Sequence, residues 1–167
     1  PLLDALSERT RESASLGTSL DDDAIIIARS TARRSLSTGL GIGSRLPVYC
    51  SAMGRVLLAS MPPEDAARRV HAMARPRLTQ DTVVDASKIL TLVERCRNDG
   101  YATNDGELEI GVRSMAVPVS DRDGHFVGAN HLEVEETSGT GQDKTGTKKV
   151  VAFKKAIIAA GSQAVRL

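Results

Sequence analysis

The 167 residues carry 22 Lys and Arg against 21 Asp and Glu, for a formal net charge of +1, with no Trp, two Tyr and two Phe. A near-neutral chain is not the electrostatic footprint of a nucleic-acid binder, and so few rings leave no stacking platform for single strands or proline-rich peptides. No apolar run approaches the roughly 20 residues of a membrane span, and the two cysteines are too few for a secreted disulfide framework. The expectation is one cytoplasmic domain with a real core, binding something small.

Leu2, Leu3 and Leu6 recur at helical spacing through about Arg11, and Ser13 to Leu20 then reads as a strand. "DDDAIIIARST" is an acidic turn before a β-branched run, and "RRSLSTGLGIGS" continues as a second strand into a glycine-rich turn, so the two predict a hairpin. Ser51 to Ala59 is helical. Pro62 and Pro63 stop that helix, and Pro63 suits the first turn of another running to about Ala74. Ile89, Leu92, Val93 and Cys96 share one helical face, with Gly100 placed to end the helix. "YATNDGELEIGVRSMAVPVSDRDGHFVGANHLEV" predicts two or three antiparallel strands, with "DRDG" a hairpin turn. "EETSGTGQDKTGT" reads as a polar loop, and residues 148–167 as a closing helix whose Val151 and Ile158 pack on the sheet. Helices clustered between and after runs of strands predict an α+β fold.

The stretch "RLPVYCSAMGRVLLAS" is the first candidate site. Ser51 suits an N-cap, and the amides of Ala52, Met53 and Gly54 would then be free donors at a positive helix end, where small side chains admit a carboxylate. Ordinary capping with a glycine packing contact produces the same pattern. Cys50 as a nucleophile needs a base, and none of His71, His125 and His131 frames it in a recurrent signature. Cys96 lies on an apolar stripe and reads as core.

Glu107 and Glu109 alternate on a predicted strand face, which admits acid–base chemistry but equally a polar outer face. The histidines and cysteines match no zinc spacing, the Asp21–Asp23 run suits a solvated turn, and no cofactor is called for. In "GVRSMAVPVSD", Met115, Val117 and Val119 share one strand face with Arg113, and Ser114, Ala116 and Pro118 share the other. The small, hydroxyl-bearing face can floor a pocket or be an ordinary solvent face, and the larger apolar face is expected to meet helices.

"GIGSRLPVYCSAMGRVLLASMPPEDA", then "LTQDTVVD", then "GYATNDGELEIGVRSMAVPVSDRDGHFVGA" together resemble the effector-binding domain of the IclR family of bacterial transcriptional regulators. The wording is most similar to the branch that controls β-ketoadipate pathway genes in aromatic catabolism. The resemblance implies a profilin-like or GAF-like curved antiparallel sheet with helices packed on it. It implies a small carboxylic acid as effector, with protocatechuate, 4-hydroxybenzoate and β-ketoadipate foremost, and a homodimer or homotetramer. It also implies an upstream winged helix-turn-helix. That domain is absent from this chain, which begins at Pro1 without an initiator Met, so an excised fragment is expected, with DNA a partner only through the missing part.

Carried over residue by residue, the resemblance puts Leu46, Ala52, Met53, Gly54, Asn104 and Ser114 at the ligand, with Ser35 less firmly registered. Apart from the resemblance, Arg113, Arg33 or Arg34 would pair a second ligand carboxylate, with an exposed salt bridge or a subunit contact the alternative for each. The departure is "GANHLEVEETSGTGQDKTGTKKV", where the family runs through a small-residue strand: Asn130 or His131 would face the pocket, and Glu133 stands where a small hydroxyl residue is usual. A small enzyme using Cys50 and a ligand-free dimerisation module are the alternatives.

Overall fold

A computed structural model describes residues 2–31, 39–119, 131–138, 143–152 and 156–164, the last three segments by their backbone course. The elements in chain order are α1 (Leu2–Thr10), β1 (Ala14–Leu20), β2 (Asp23–Ser30), β3 (Arg45–Pro47), α2 (Ala52–Ala59), α3 (Pro63–Ala72), α4 (Ala86–Asp99), β4 (Ala102–Asp105), β5 (Val112–Pro118), β6 (His131–Ser138), β7 (Asp143–Ala152) and β8 (Ala156–Ala164). Six strands form one antiparallel sheet in the order β3-β2-β1-β8-β5-β4, and β6 and β7 pair as a separate ribbon. This is the expected α+β class.

Local chemistry accounts for the helices. Ser51 caps α2 by accepting from the Gly54 amide at 3.1 Å, Pro63 opens α3, and Asp85 caps α4 by accepting from the Lys88 amide at 2.9 Å. Gly100 ends α4 in the left-handed conformation at φ 77°, which a side chain would resist. Ile89, Val93 and Cys96 are buried along α4 as their spacing requires.

The core is centred on α2, every residue of which from Ala52 to Leu58 is buried. A helix apolar on nearly all sides must be enclosed, and α2 packs on the sheet from β2 to β4 and, on its other side, on α3 and α4. Gly54 makes the fit possible: a Cβ there would stand 2.1 Å from Val48 Cα and 2.3 Å from Val48 O. Inside this apolar environment Arg55 donates to both oxygens of Glu107 and to Thr103 O.

Several expectations are corrected. The hairpin partner of β2 is β1, joined through Asp21 and Asp22, and β3 lies on the other edge of β2; residues 32–38 of the expected second strand lie outside the described residues. Residues 148–167 do not close as a helix: β7 and β8 occupy the described part of them, and β8 fills the slot between β1 and β5. A short apolar run such as "AIIAA" is ambiguous in period, and the unpaired edges of β1 and β5 decide it as strand. The expected polar loop is replaced over its described residues by parts of β6 and β7. Met115 and Val117 are 48% and 42% exposed, so the larger side chains of β5 face outward and Ala116 faces the core. The turn at 121–124 and His125 lie outside the described residues.

Candidate functional site

A cavity of about 320 Å³ opens between the sheet and the start of α2. Ser15 on β1, Ile26 and Arg29 on β2, Leu46 on β3, Ala52 and Met53 on α2, and Asn104 and Ser114 on β4 and β5 all line it. Leu40, Leu78, Leu108 and Val112 add apolar wall, and Glu109 stands exposed among the lining residues.

The chain folds to this shape for identifiable reasons. Pro47 ends β3, and Ser51 donates to Pro47 O at 2.7 Å while capping α2, so one hydroxyl fixes both sides of the turn. Asn104 Nδ2 donates to Cys50 O and ties β4 to the same turn. The Ala52 and Met53 amides, first in the helix, have no hydrogen bond among the described residues. They stand at the positive end of the helix, so the site can take an anion. Asn104 and Ser114 are register partners on adjacent strands, and both line the cavity, as the parity of β5 implied. Gly17 on β1 makes room for Met53: a Cβ there would lie 2.6 Å from Met53 Sδ.

Of the residues singled out in the sequence, Leu46, Ala52, Met53, Asn104 and Ser114 are brought together at the cavity. Gly54 is not a lining residue; its amide is taken by Ser51 and its α-carbon packs on Val48. Arg113 is also away from the lining, its exposed guanidinium donating to Asp105 at 2.8 Å, because odd positions of β5 face outward. Ser35, Arg33, Arg34 and Asn130 lie outside the described residues. The backbone of His131 opens β6, where it pairs with Ala152 in the ribbon, and Glu133 pairs with Val150 there; the strand beside β5 is β8 instead.

Sequence reading missed Arg29, Ser13 and Ser15. Arg29 is hidden by a bulge: Leu16 pairs with Ala28 but Gly17 with Ile26, so Ile27 is the extra residue. The bulge shifts the parity of β2 and puts Arg29 at the cavity with Ile26. A regular alternation would have separated them.

The nucleophilic alternatives lose their chemistry. Cys50 is fully buried, and burial pushes its thiol up to about 11, away from the reactive thiolate. Cys96, buried on α4, is likewise pushed up to about 11 by burial. Glu107 and Glu109 do not alternate on a strand; they lie in the bend between β4 and β5, where Glu107 is committed to Arg55 and to the Val83 amide.

Residues 1–159 match the family described as bacterial transcriptional regulator IclR, C-terminal. The chain is 39% identical over 133 residues to the Pca regulon regulatory protein of Pseudomonas putida, covering 77% of this chain and 45% of that protein, in keeping with the branch the sequence resembled. It thus spans about half the length or less of this relative. The fold is similar to that of a transcriptional regulator from Rhodococcus sp. RHA1, with a TM-score of 0.74, 28% identity and coverage of 97% of this chain and 53% of that one. An IclR homolog from Microbacterium hydrocarbonoxydans, solved with 4-hydroxybenzoate, has a TM-score of 0.71 and 21% identity over 97% of this chain and 55% of that one, a likeness of fold alone. With its family match over nearly the whole chain, the protein belongs to the IclR family of bacterial transcriptional regulators, of which it carries the C-terminal domain.

Proposed function

We propose that the cavity at the start of α2 binds a small carboxylic acid, and that this binding controls a transcription regulator without making or breaking a bond. The observation that carries the reading is that Ala52 and Met53, whose amides have no hydrogen bond among the described residues, line a mostly apolar cavity. A carboxylate accepts from these amides and gains from the helix dipole, and the apolar walls take the ligand body. Asn104 gives one amide N–H to Cys50 O, which leaves its second N–H as a donor and its Oδ1 as an acceptor for a ligand hydroxyl. Hydroxylated aromatic acids such as protocatechuate and 4-hydroxybenzoate fit this arrangement, and β-ketoadipate fits its volume. The 4-hydroxybenzoate complex of the Microbacterium homolog is in accord.

Ligand binding acts through differential affinity for two arrangements of a homodimer or homotetramer, which bias DNA-binding domains outside these 167 residues. The working location is cytoplasmic; among the described residues, no helix is long and apolar enough to cross a membrane.

A thermal-shift panel of protocatechuate, 4-hydroxybenzoate, β-ketoadipate, pyruvate and glyoxylate tests the reading. A ligand at 100 times its dissociation constant adds about 2.7 kcal/mol, a rise on the order of 5 °C for a domain of this size. A selective rise that Met53→Arg abolishes supports an effector site here. No rise with any acid sinks it and favours a ligand-free dimerisation module.

A further inference from the structure

Two arginines line the cavity, and they are not equivalent. Arg45 on β3 is neutralised by Asp23 at 2.7 Å and Asp21 at 3.4 Å. Arg29 has no carboxylate partner among the described residues; its one hydrogen bond there is from Nη1 to Ser15 Oγ at 2.9 Å. Burial draws its pKa down, as expected of a guanidinium half removed from water with no counter-ion. Arginine nonetheless stays charged, so the cavity wall, which also holds the exposed Glu109, carries a cation with no carboxylate partner among the described residues and with donors to spare. The bulge at Ile27 is what turns it inward.

The cavity therefore has two places for an anion: the α2 amides and the Arg29 guanidinium, with Ile26, Leu46 and Met53 among the apolar lining. We propose that Arg29 seats a second acidic group of the effector, so that the cavity selects dicarboxylic acids over monocarboxylic acids of the same length. This rests on the reading of the cavity as the effector site and names the class of acid it takes. The second carboxylate supplies a counter-ion that Arg29 lacks among the described residues, and a planar guanidinium can meet it with two parallel hydrogen bonds.

Adipate and hexanoate differ in the second carboxylate alone, so titration calorimetry of the protein with each, at neutral pH, isolates its effect. The wild type is expected to bind adipate at least about tenfold more tightly, a preference worth one charge-assisted contact. Arg29→Gln should reduce the ratio to near one by weakening adipate while leaving hexanoate where it was, and Arg29→Lys should keep part of the preference. Melting temperatures of the unliganded variants show whether each is folded; if the glutamine variant is not, the ratio is read on the lysine variant. Equal binding of the two acids by the wild type overturns the proposal but leaves a carboxylate site standing. A ratio unchanged in Arg29→Gln also overturns it. If neither these acids nor the panel above bind, the effector reading and this proposal fall together.

Discussion

Arg55 Nη2 lies 2.6 Å from Glu107 Oε1 and 2.7 Å from Oε2, with the two side chains 3% and 8% exposed. The pair joins the middle of the central helix to the bend between β4 and β5, and Glu107 also receives the Val83 amide at 3.1 Å. Arg55 Nε has no partner, so the arginine depends on this carboxylate and on Thr103 O.

Removing one member strands the other charge in an apolar core. Glu107→Ala is expected to destabilise the domain by about 3 to 5 kcal/mol, read as a lower urea midpoint, whereas Arg55→Met combined with Glu107→Leu should lose much less. Equal losses in the single and double variants would contradict the account of a stranded charge.

Gly54→Ala should also destabilise, against the usual helix preference. Alanine normally gains about 1 kcal/mol over glycine inside a helix. Here its Cβ meets Val48 backbone atoms at 2.1 to 2.6 Å, and backbone on both sides cannot step aside. A net loss of about 2 kcal/mol or more is expected; a rise in melting temperature would show that α2 and the Val48 turn can separate cheaply.

Ser51→Ala removes the cap on α2 and the bond to Pro47 O together. A stability loss of about 1 to 2 kcal/mol is expected. Because the cap also orients the Ala52 and Met53 amides, affinity for a carboxylate effector should fall severalfold in calorimetry, and Ser51→Asn should restore more stability than affinity.

Alkaline pH should weaken the fold through its buried thiols. Cys50 and Cys96 are held up to about 11 against an ordinary value of 9.0. The unfolded chain therefore releases these protons first, so stability is complete below about pH 9 and declines as pH rises towards 11. Burial raises the Tyr49 phenol as well, which extends the loss. The decline is on the order of 2 kcal/mol per thiol. Urea midpoints at pH 7.5 and 10.5 should converge in a Cys50→Ala, Cys96→Ala double variant relative to the wild type, and a decline as steep in the double variant would exonerate the thiols.

What was legible in the chain was local. Ser51, Pro63 and Gly100 announce helix ends because a cap or a fixed φ acts within a few residues, and α2, α3 and α4 lie where those signals and the apolar spacing put them. Ser114 was legible for a similar reason, since strand alternation needs no knowledge of the partner strand until a bulge intervenes, whereas Asn104 came from the family likeness alone. The family likeness, carried by motifs between "GIGSRLP" and "VPVSDRDG", was legible too.

Tertiary structure decided the rest, because the deciding interactions are between segments far apart in sequence. Nothing local to residues 156–164 says that they complete a sheet; the open hydrogen-bonding edges of β1 and β5 do. No spacing reveals that Gly54 rests on Val48, that Arg55 finds Glu107, or that one extra residue in β2 turns Arg29 towards the helix that Ser51 caps. The sequence by itself determined α1 to α4, the family and five of the residues that line the cavity. That Arg29 lines the cavity was decided by a register shift, a property of two paired strands rather than of either one.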